Sequence, residues 1–214
     1  YQRSSLTPTG IPMYDDIFER LEKIKINTKT SDKKRILLIT HAMYEHGIWT
    51  QKQKKTLVQG IVKEISKYKD TMSLTVKIHP TSEVLTDYQK LIYEIDEDVN
   101  IQKDGDIMEF INDSDLIIAY SSSSSLVYAL VSKKPIIVCN FYNLENDLFL
   151  EKKLVLECKN ISNIIPSINK ALVLNPASKE NVDNFISEFF YKLDGLASER
   201  IGNKILKLLN KDEK

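Results

Sequence analysis

Short runs of apolar, often β-branched residues alternate along this chain with longer stretches of helical period, and that rhythm admits few architectures. Strands separated by helices of this length pair in parallel, since each helix carries the chain back to start the next strand on the same side. Ile36 to Thr40 reads as the first strand, Leu74 to Ile78 as the second, Val99 to Gln102 as the third, Leu116 to Tyr120 as the fourth and Pro135 to Asn140 as the fifth. Leu154 to Glu157 gives a weaker sixth. Between the first two, Leu57, Val58, Ile61, Val62 and Ile65 recur at the three-four spacing of one buried helix face, so Lys52 to Tyr68 is a crossover helix. Thr86 to Ile95, Ile107 to Asn112, Leu126 to Ser132 and Ile161 to Leu172 fill the other crossovers. Right-handed connections then wind the sheet on both faces, so the fold class is α/β with a doubly wound, Rossmann-like parallel sheet.

At 214 residues the chain has room for one such domain and its appendages. The expected division is a lead-in segment over 1–30, a nucleotide-binding Rossmann-like domain over 31–177 and a C-terminal helical tail over 178–214. The lead-in has turn residues at Pro8, Gly10 and Pro12, then Ile17, Leu21 and Ile24 on one helical face. The tail breaks at Asp194-Gly195, where glycine suits a helix stop. Because the first residue is Tyr1 and not Met, the chain reads as a piece of something longer.

Charge narrows the function. Lys plus Arg equals Asp plus Glu at 30 each, and no basic cluster is interleaved with aromatics, so nucleic acid is not an expected partner. The longest apolar runs fall far short of a membrane span and no signal peptide precedes them, which points to a cytoplasmic protein with at most peripheral membrane association. Cys139 and Cys158 each fall in an apolar stretch and read as buried free thiols. The three His and two Cys have no metal-ligand spacing, and Asp104, Asp106, Asp113 and Asp115 suit turns and caps, so no protein-bound metal is expected. There is no Gly-rich dinucleotide fingerprint, no P-loop and no Gly-flanked nucleophilic serine.

In open α/β sheets, ligands collect beyond the carboxyl ends of the strands. The first strand leads into Thr40-His41, the second into His79-Pro80, the fourth into the serine run Ser121 to Ser125. Serines between a strand and a helix present backbone N–H groups, hydroxyls and a helix dipole to an anion, which suggests a phosphate or pyrophosphate; plain helix capping is the competing explanation. Pro80 restricts the turn after the second strand, and a positioned His79 imidazole could donate to a phosphate and offset charge on a departing nucleotide. His41 could reach the same phosphates from the first loop, or be structural beside Tyr44. His46 belongs on the loop surface.

Together these segments resemble the C-terminal domain of GT-B glycosyltransferases of cell-surface polymers, a group that includes capsule polysaccharide transferases, bacterial polysialyltransferases and CDP-glycerol glycerophosphotransferases. The His-Pro motif is similar to Val76-Lys77-Ile78-His79-Pro80. The Ser-Ser motif resembles Ser114-Asp115-Leu116-Ile117-Ile118-Ala119-Tyr120-Ser121-Ser122, with Lys134-Pro135-Ile136-Ile137 following. Thr9 to Asp15 is similar to the segment that closes the N-terminal domain of such enzymes, and Leu193 to Ile201 to their last helix. The resemblance implies that His79 is the catalytic histidine and that His79, Ser121, Ser122 and Ser123 hold donor phosphates, joined by His41 and Pro80. Glu145 is the candidate for the ribose. It also implies a CMP-, CDP- or UDP-linked donor with no other cofactor, a glycan acceptor, and a partner N-terminal domain bearing the catalytic base. Two departures are visible: Ala119 stands where CDP-glycerol enzymes usually carry Asp, and Tyr128-Ala129 where epimerase-like proteins usually carry Glu-Ala. The alternatives are a UDP-sugar 2-epimerase-like enzyme and a noncatalytic nucleotide-binding module of a polysaccharide assembly complex.

Overall fold

A computed structural model describes residues 6–25, 32–121, 123–143 and 147–210. The chain divides into two compact units, Asn27–Ser178 and a second one built from both chain ends, Tyr1–Ile26 with Lys179–Lys214.

The larger unit holds six strands, β1 (Lys34–Ile39), β2 (Met72–Lys77), β3 (Asn100–Gln102), β4 (Leu116–Ala119), β5 (Ile136–Cys139) and β6 (Leu156–Cys158). All their pairings are parallel, in the order β3-β2-β1-β4-β5-β6. The winding therefore runs outward from β1 in one direction and from β4 in the other, and the reversal falls between these neighbours. Residues of β4 and β5 are buried throughout, which is why they read as continuous apolar runs and not as alternating ones. The sixth strand starts two residues later than its apolar signal, because Leu154 and Val155 are buried in the turn before it and join no ladder.

Numbering the helices from the lead-in, α1 is Ile17–Lys25; α2 (Gln51–Ser66), α3 (Leu85–Tyr93), α4 (Ile107–Asn112), α5 (Ser124–Val131), α6 (Leu148–Glu151) and α7 (Ile164–Val173) follow within or beside the sheet. A capping box fixes the start of α2, with Thr50 accepting from the Gln53 amide and the Gln53 side chain accepting from Thr50 N–H. The five positions of its apolar face are all buried, packed with Ile36, Leu38, Val76, Ile118 and the inward residues of α3 and α7 in one core. Helices α4 and α5 pack on each other, and α5 on β5. Cys139 and Cys158 are free, buried and register partners on β5 and β6.

At the amino ends of the strands, Asp115 ties β4 to β1. Its carboxylate accepts from Arg35 N–H at 2.8 Å and from the guanidinium at 3.1 Å, while its own N–H donates to Arg35 O at 2.8 Å. Burial pulls the Asp115 carboxyl upward, but the hydrogen bonds and charge of Arg35 outweigh it and hold the group below the ordinary carboxylate value. A depressed acid contributes stability that is present above the unfolded pKa and lost as pH falls through the folded one. Asp115→Asn is therefore expected to cost about 1 to 2 kcal/mol near neutral pH, with the difference from wild type shrinking at acid pH as the carboxyl is protonated. Urea unfolding at neutral and acid pH checks this, and an equal cost at both would remove Asp115 as the source.

In the smaller unit, a short 3-10 turn over Pro12–Tyr14 leads into α1, whose Ile17 and Leu21 are buried. The tail runs through α8 (Lys179–Phe185), a π-helical turn over Ile186–Phe190, and α9 (Ala197–Leu209). Its break is longer than expected from sequence. It begins at Tyr191, held at φ 62°, after Phe190 has packed edge-on against Tyr14 at 5.2 Å. The chain ends are pinned where Asp15 accepts from the Ala197 and Ser198 amides at 2.9 and 2.7 Å, and where Arg200 Nε donates to Thr9 O at 2.8 Å. Gly195 is at φ +76°, and a Cβ there would stand 2.9 Å from Asp15 O, so both the backbone angle and the close approach require glycine.

Candidate functional site

A cavity of about 530 Å³ opens beyond the carboxyl ends of the central strands, beside the β1/β4 reversal. Thr40 and His41 line it from the end of β1, Lys77 to Pro80 from the end of β2, and Gly105 to Ile107 from the turn after β3. Ser123, Ser124 and Ser125 close it from the start of α5. These four loops converge because parallel strands deliver every outgoing turn to the same edge of the sheet.

Several of the residues singled out from the sequence meet here. His41, His79, Pro80 and Ser123 all line the cavity. Ser121 stands behind them, with its Oγ 3.3 Å from His41 Nδ1. Ser122 and Glu145 lie outside the described residues. His46 is exposed on the loop, its ring 6.4 Å from that of His41. Among the described residues, no three His, Cys, Asp or Glu side chains converge as a metal site.

The Ser123 side chain does not cap the helix that follows it. Ser123 is the N-cap residue of α5, in extended conformation, yet its side chain accepts no cap hydrogen bond; its Oγ instead pairs with Ser125 Oγ at 2.7 Å. Ser123 thus keeps its hydroxyl off the first turn of α5, at the positive end of the helix dipole.

His79 has a defined tautomer. The Ser82 backbone N–H, which can only donate, is 3.2 Å from Nδ1, so Nδ1 accepts and the proton of the neutral ring sits on Nε2. Nε2–H is then a donor free of that bond. The His41 imidazole is held below its ordinary value: burial pushes it down, the nearby His79 and His46 push the same way, and Glu83 only partly opposes them.

Sequence reasoning missed the residue that organises these loops. Glu83 is 1% exposed, and its carboxylate accepts from the His79 backbone N–H at 2.7 Å, from the Thr40 hydroxyl and from the Tyr88 hydroxyl. It therefore joins the end of β1, the turn after β2 and the first helix beyond. Tyr88 is buried too, its hydroxyl pushed far upward by burial and by Tyr120 and Glu83, with the Lys54 ammonium 4.4 Å over its ring. Nothing in the Thr81-Ser82-Glu83 segment distinguishes it in sequence from an exposed polar turn.

The family model for CDP-Glycerol:Poly(glycerophosphate) glycerophosphotransferase matches residues 1–207. No curated protein sequence matches the chain significantly. Among solved structures, the UDP-GlcNAc 2-epimerase from Neisseria meningitidis bound to UDP-GlcNAc is similar with a TM-score of 0.68 at 20% identity, over 97% of this chain and 57% of that one. The UDP-GlcNAc 2-epimerase from Methanocaldococcus jannaschii gives 0.63 at 16% identity, over 98% and 57%. The wall teichoic acid polymerase TagF gives 0.57 at 18% identity, over 100% and 55%. The chain thus spans a little over half the length of these structures, and at such identities the likeness is one of fold. Among the described residues no helix is long and apolar enough to cross a membrane.

Proposed function

We propose, from the premise that this chain belongs to the CDP-glycerol:poly(glycerophosphate) glycerophosphotransferase family, that it is the donor-binding half of a transferase that moves a sugar or polyol phosphate from a nucleotide onto a growing cell-surface glycan. The observation that carries the reading is the convergence of His41, His79 and the start of α5 on one cavity at the sheet's winding reversal. Donors gathered there suit the phosphates of a CMP-, CDP- or UDP-linked donor, with no other cofactor. Ser123 and the α5 amides hold the diphosphate, Ser121 steadies His41, and Pro80 fixes the turn that presents His79. His79 Nε2–H donates to the phosphate oxygen on which negative charge builds as the glycosyl or glycerophosphoryl group departs, which lowers the barrier to leaving. Ser122 and Glu145 complete the phosphate and ribose contacts.

The acceptor glycan and the catalytic base belong to an N-terminal domain, to which 1–30 is the lead-in. This division is supported by the family match together with coverage of only 55% of TagF. The protein acts in the cytoplasm, at most peripherally on a membrane, in capsule-type or related polymer synthesis. An epimerase-like activity is the weaker reading: the epimerases share the fold at 20% identity or below, whereas the family match names a transferase.

A thermal-shift panel of CMP, CDP, UMP, UDP and GDP tests the proposal, because a ligand that binds the native state alone raises its melting temperature. Cytidine and uridine diphosphates are expected to stabilise the chain more than GDP does, and no sugar or glycerophosphate transfer is expected from this chain alone. A flat response to every nucleotide would remove the reading.

A further inference from the structure

Lys77 is the last residue of β2 and is 4% exposed. Its ammonium donates to the carbonyls of Ile78, at 3.3 Å, and Lys103, and lies 5.8 Å from the centre of the Phe110 ring. Among the described residues no carboxylate makes an ion pair with it. An ammonium has three protons, and two are directed at carbonyl oxygens, so one remains. Burying a cation without a counter-ion is costly, and carbonyl dipoles offset only part of the lost hydration. Burial pushes Lys77 below the ordinary lysine value, against the pull of Asp104 and Glu83. The residue lines the same cavity as His79 and the start of α5. The acid that also lines it, Asp106, already accepts from the Met108 N–H at 3.0 Å as the cap of α4.

We propose that Lys77 is the counter-ion of the ligand, a buried ammonium whose missing partner is the diphosphate of the bound nucleotide. This rests on the nucleotide-binding reading above and adds to it the charged residue that would make the site select phosphates. A nucleoside offers nothing to the ammonium, whereas a diphosphate closes the ion pair and completes its third hydrogen bond. Binding then favours the charged form of the ammonium. Removing the charge weakens the diphosphate complex and relieves the empty protein of an unpaired buried cation.

Calorimetric titration of CDP, cytidine and inorganic pyrophosphate into the 214-residue chain tests this, on wild type, Lys77→Met and Lys77→Arg, with circular dichroism confirming that each variant is folded. Met keeps the length and apolar stem without the charge; Arg keeps the charge. Lys77→Met is expected to weaken CDP and pyrophosphate between about tenfold and a hundredfold, to leave cytidine unchanged, and to melt no lower than wild type, with Arg recovering part of the loss. A merely structural lysine would instead lower stability and affect CDP and cytidine alike, and that result overturns the proposal. If wild type binds CDP and Lys77→Met binds it equally well, Lys77 is not the counter-ion and the nucleotide reading stands alone. Lys77-dependent binding of pyrophosphate without any nucleotide binding would keep the counter-ion and sink the nucleotide. Failure of wild type to bind pyrophosphate or CDP overturns both.

Discussion

Replacing Glu83 by Ala is expected to cost the protein about 3 to 5 kcal/mol of stability, the largest single effect anticipated outside the apolar core. Three donors converge on that carboxylate, and truncation removes the acceptor from the part-buried His79 N–H and the buried Tyr88 hydroxyl, while the Thr40 hydroxyl keeps only a long bond to Lys77 O at 3.4 Å. Each buried donor left without an acceptor costs about 1 to 3 kcal/mol, and the vacated volume adds to it. For a chain of this size the melting temperature should fall by roughly 6 to 20 °C. Glu83→Gln supplies the internal control. Its amide oxygen can accept from the His79 N–H, and its NH2 can face the Tyr88 oxygen once that hydroxyl turns its proton away. The Gln variant is therefore expected to lose only about 1 to 2 kcal/mol. Thermal and urea unfolding of both variants decide the matter: a Gln variant as damaged as Ala, or an Ala variant within about 0.5 kcal/mol of wild type, would mean that the carboxylate does not hold the loops together.

His79→Ala is expected to weaken diphosphate binding roughly tenfold or more while leaving nucleoside affinity untouched. The reasoning starts from the tautomer. With Nδ1 occupied by the Ser82 amide, the neutral ring offers a single N–H, and no acceptor for it is seen among the described residues, so it is available to a ligand in the cavity. A bond from it to a charged oxygen is worth about 1.5 to 3 kcal/mol, and each 1.4 kcal/mol is a factor of ten. Ser123→Ala should produce a smaller loss with the same preference for phosphate, because the α5 amides remain when the hydroxyl goes. Titrating CDP, CMP and cytidine against wild type and both variants separates the cases. Equal losses for cytidine and CDP would locate the phosphates away from the cavity.

The sheet was legible in the sequence because parallel strands buried on both faces leave uninterrupted apolar runs such as Leu116 to Ala119, and the α2 face repeats at the helical period. The positions of His41, His79 and Ser123 were legible for a topological reason: each follows a strand, and every outgoing turn of a parallel sheet reaches the same edge. What decides the electrostatics of the cavity was not. Glu83 sits in a stretch of polar residues that any solvated turn could contain, and only the fold brings Thr40, 43 positions upstream, onto its carboxylate. Lys77 ends a strand pattern, where a lysine usually reaches water; that its ammonium stays inside depends on Lys103 O and the Phe110 ring arriving from the turn after β3 and from α4. The tail break was read from Asp194-Gly195, but the helix gives way earlier at Tyr191, because aromatic contacts among Phe185, Phe190 and Tyr14 set the π-helical turn.

The pairing of the two chain ends also sets a clock on biosynthesis. The Asp15 carboxylate finds its donors only when the Ala197 and Ser198 amides exist, 182 and 183 residues later. At elongation rates of about 5 to 20 residues per second, the lead-in waits roughly 10 to 40 seconds after it is made before its contacts can form. During that interval Tyr14, Ile17 and Leu21, buried in the finished protein, have nothing of the tail to cover them. The strands and helices of 27–178 carry all of their own pairings and can close in the meantime. Synthesis thus sets an order of availability, with every pairing of the sheet present in the chain before the terminal unit can be completed.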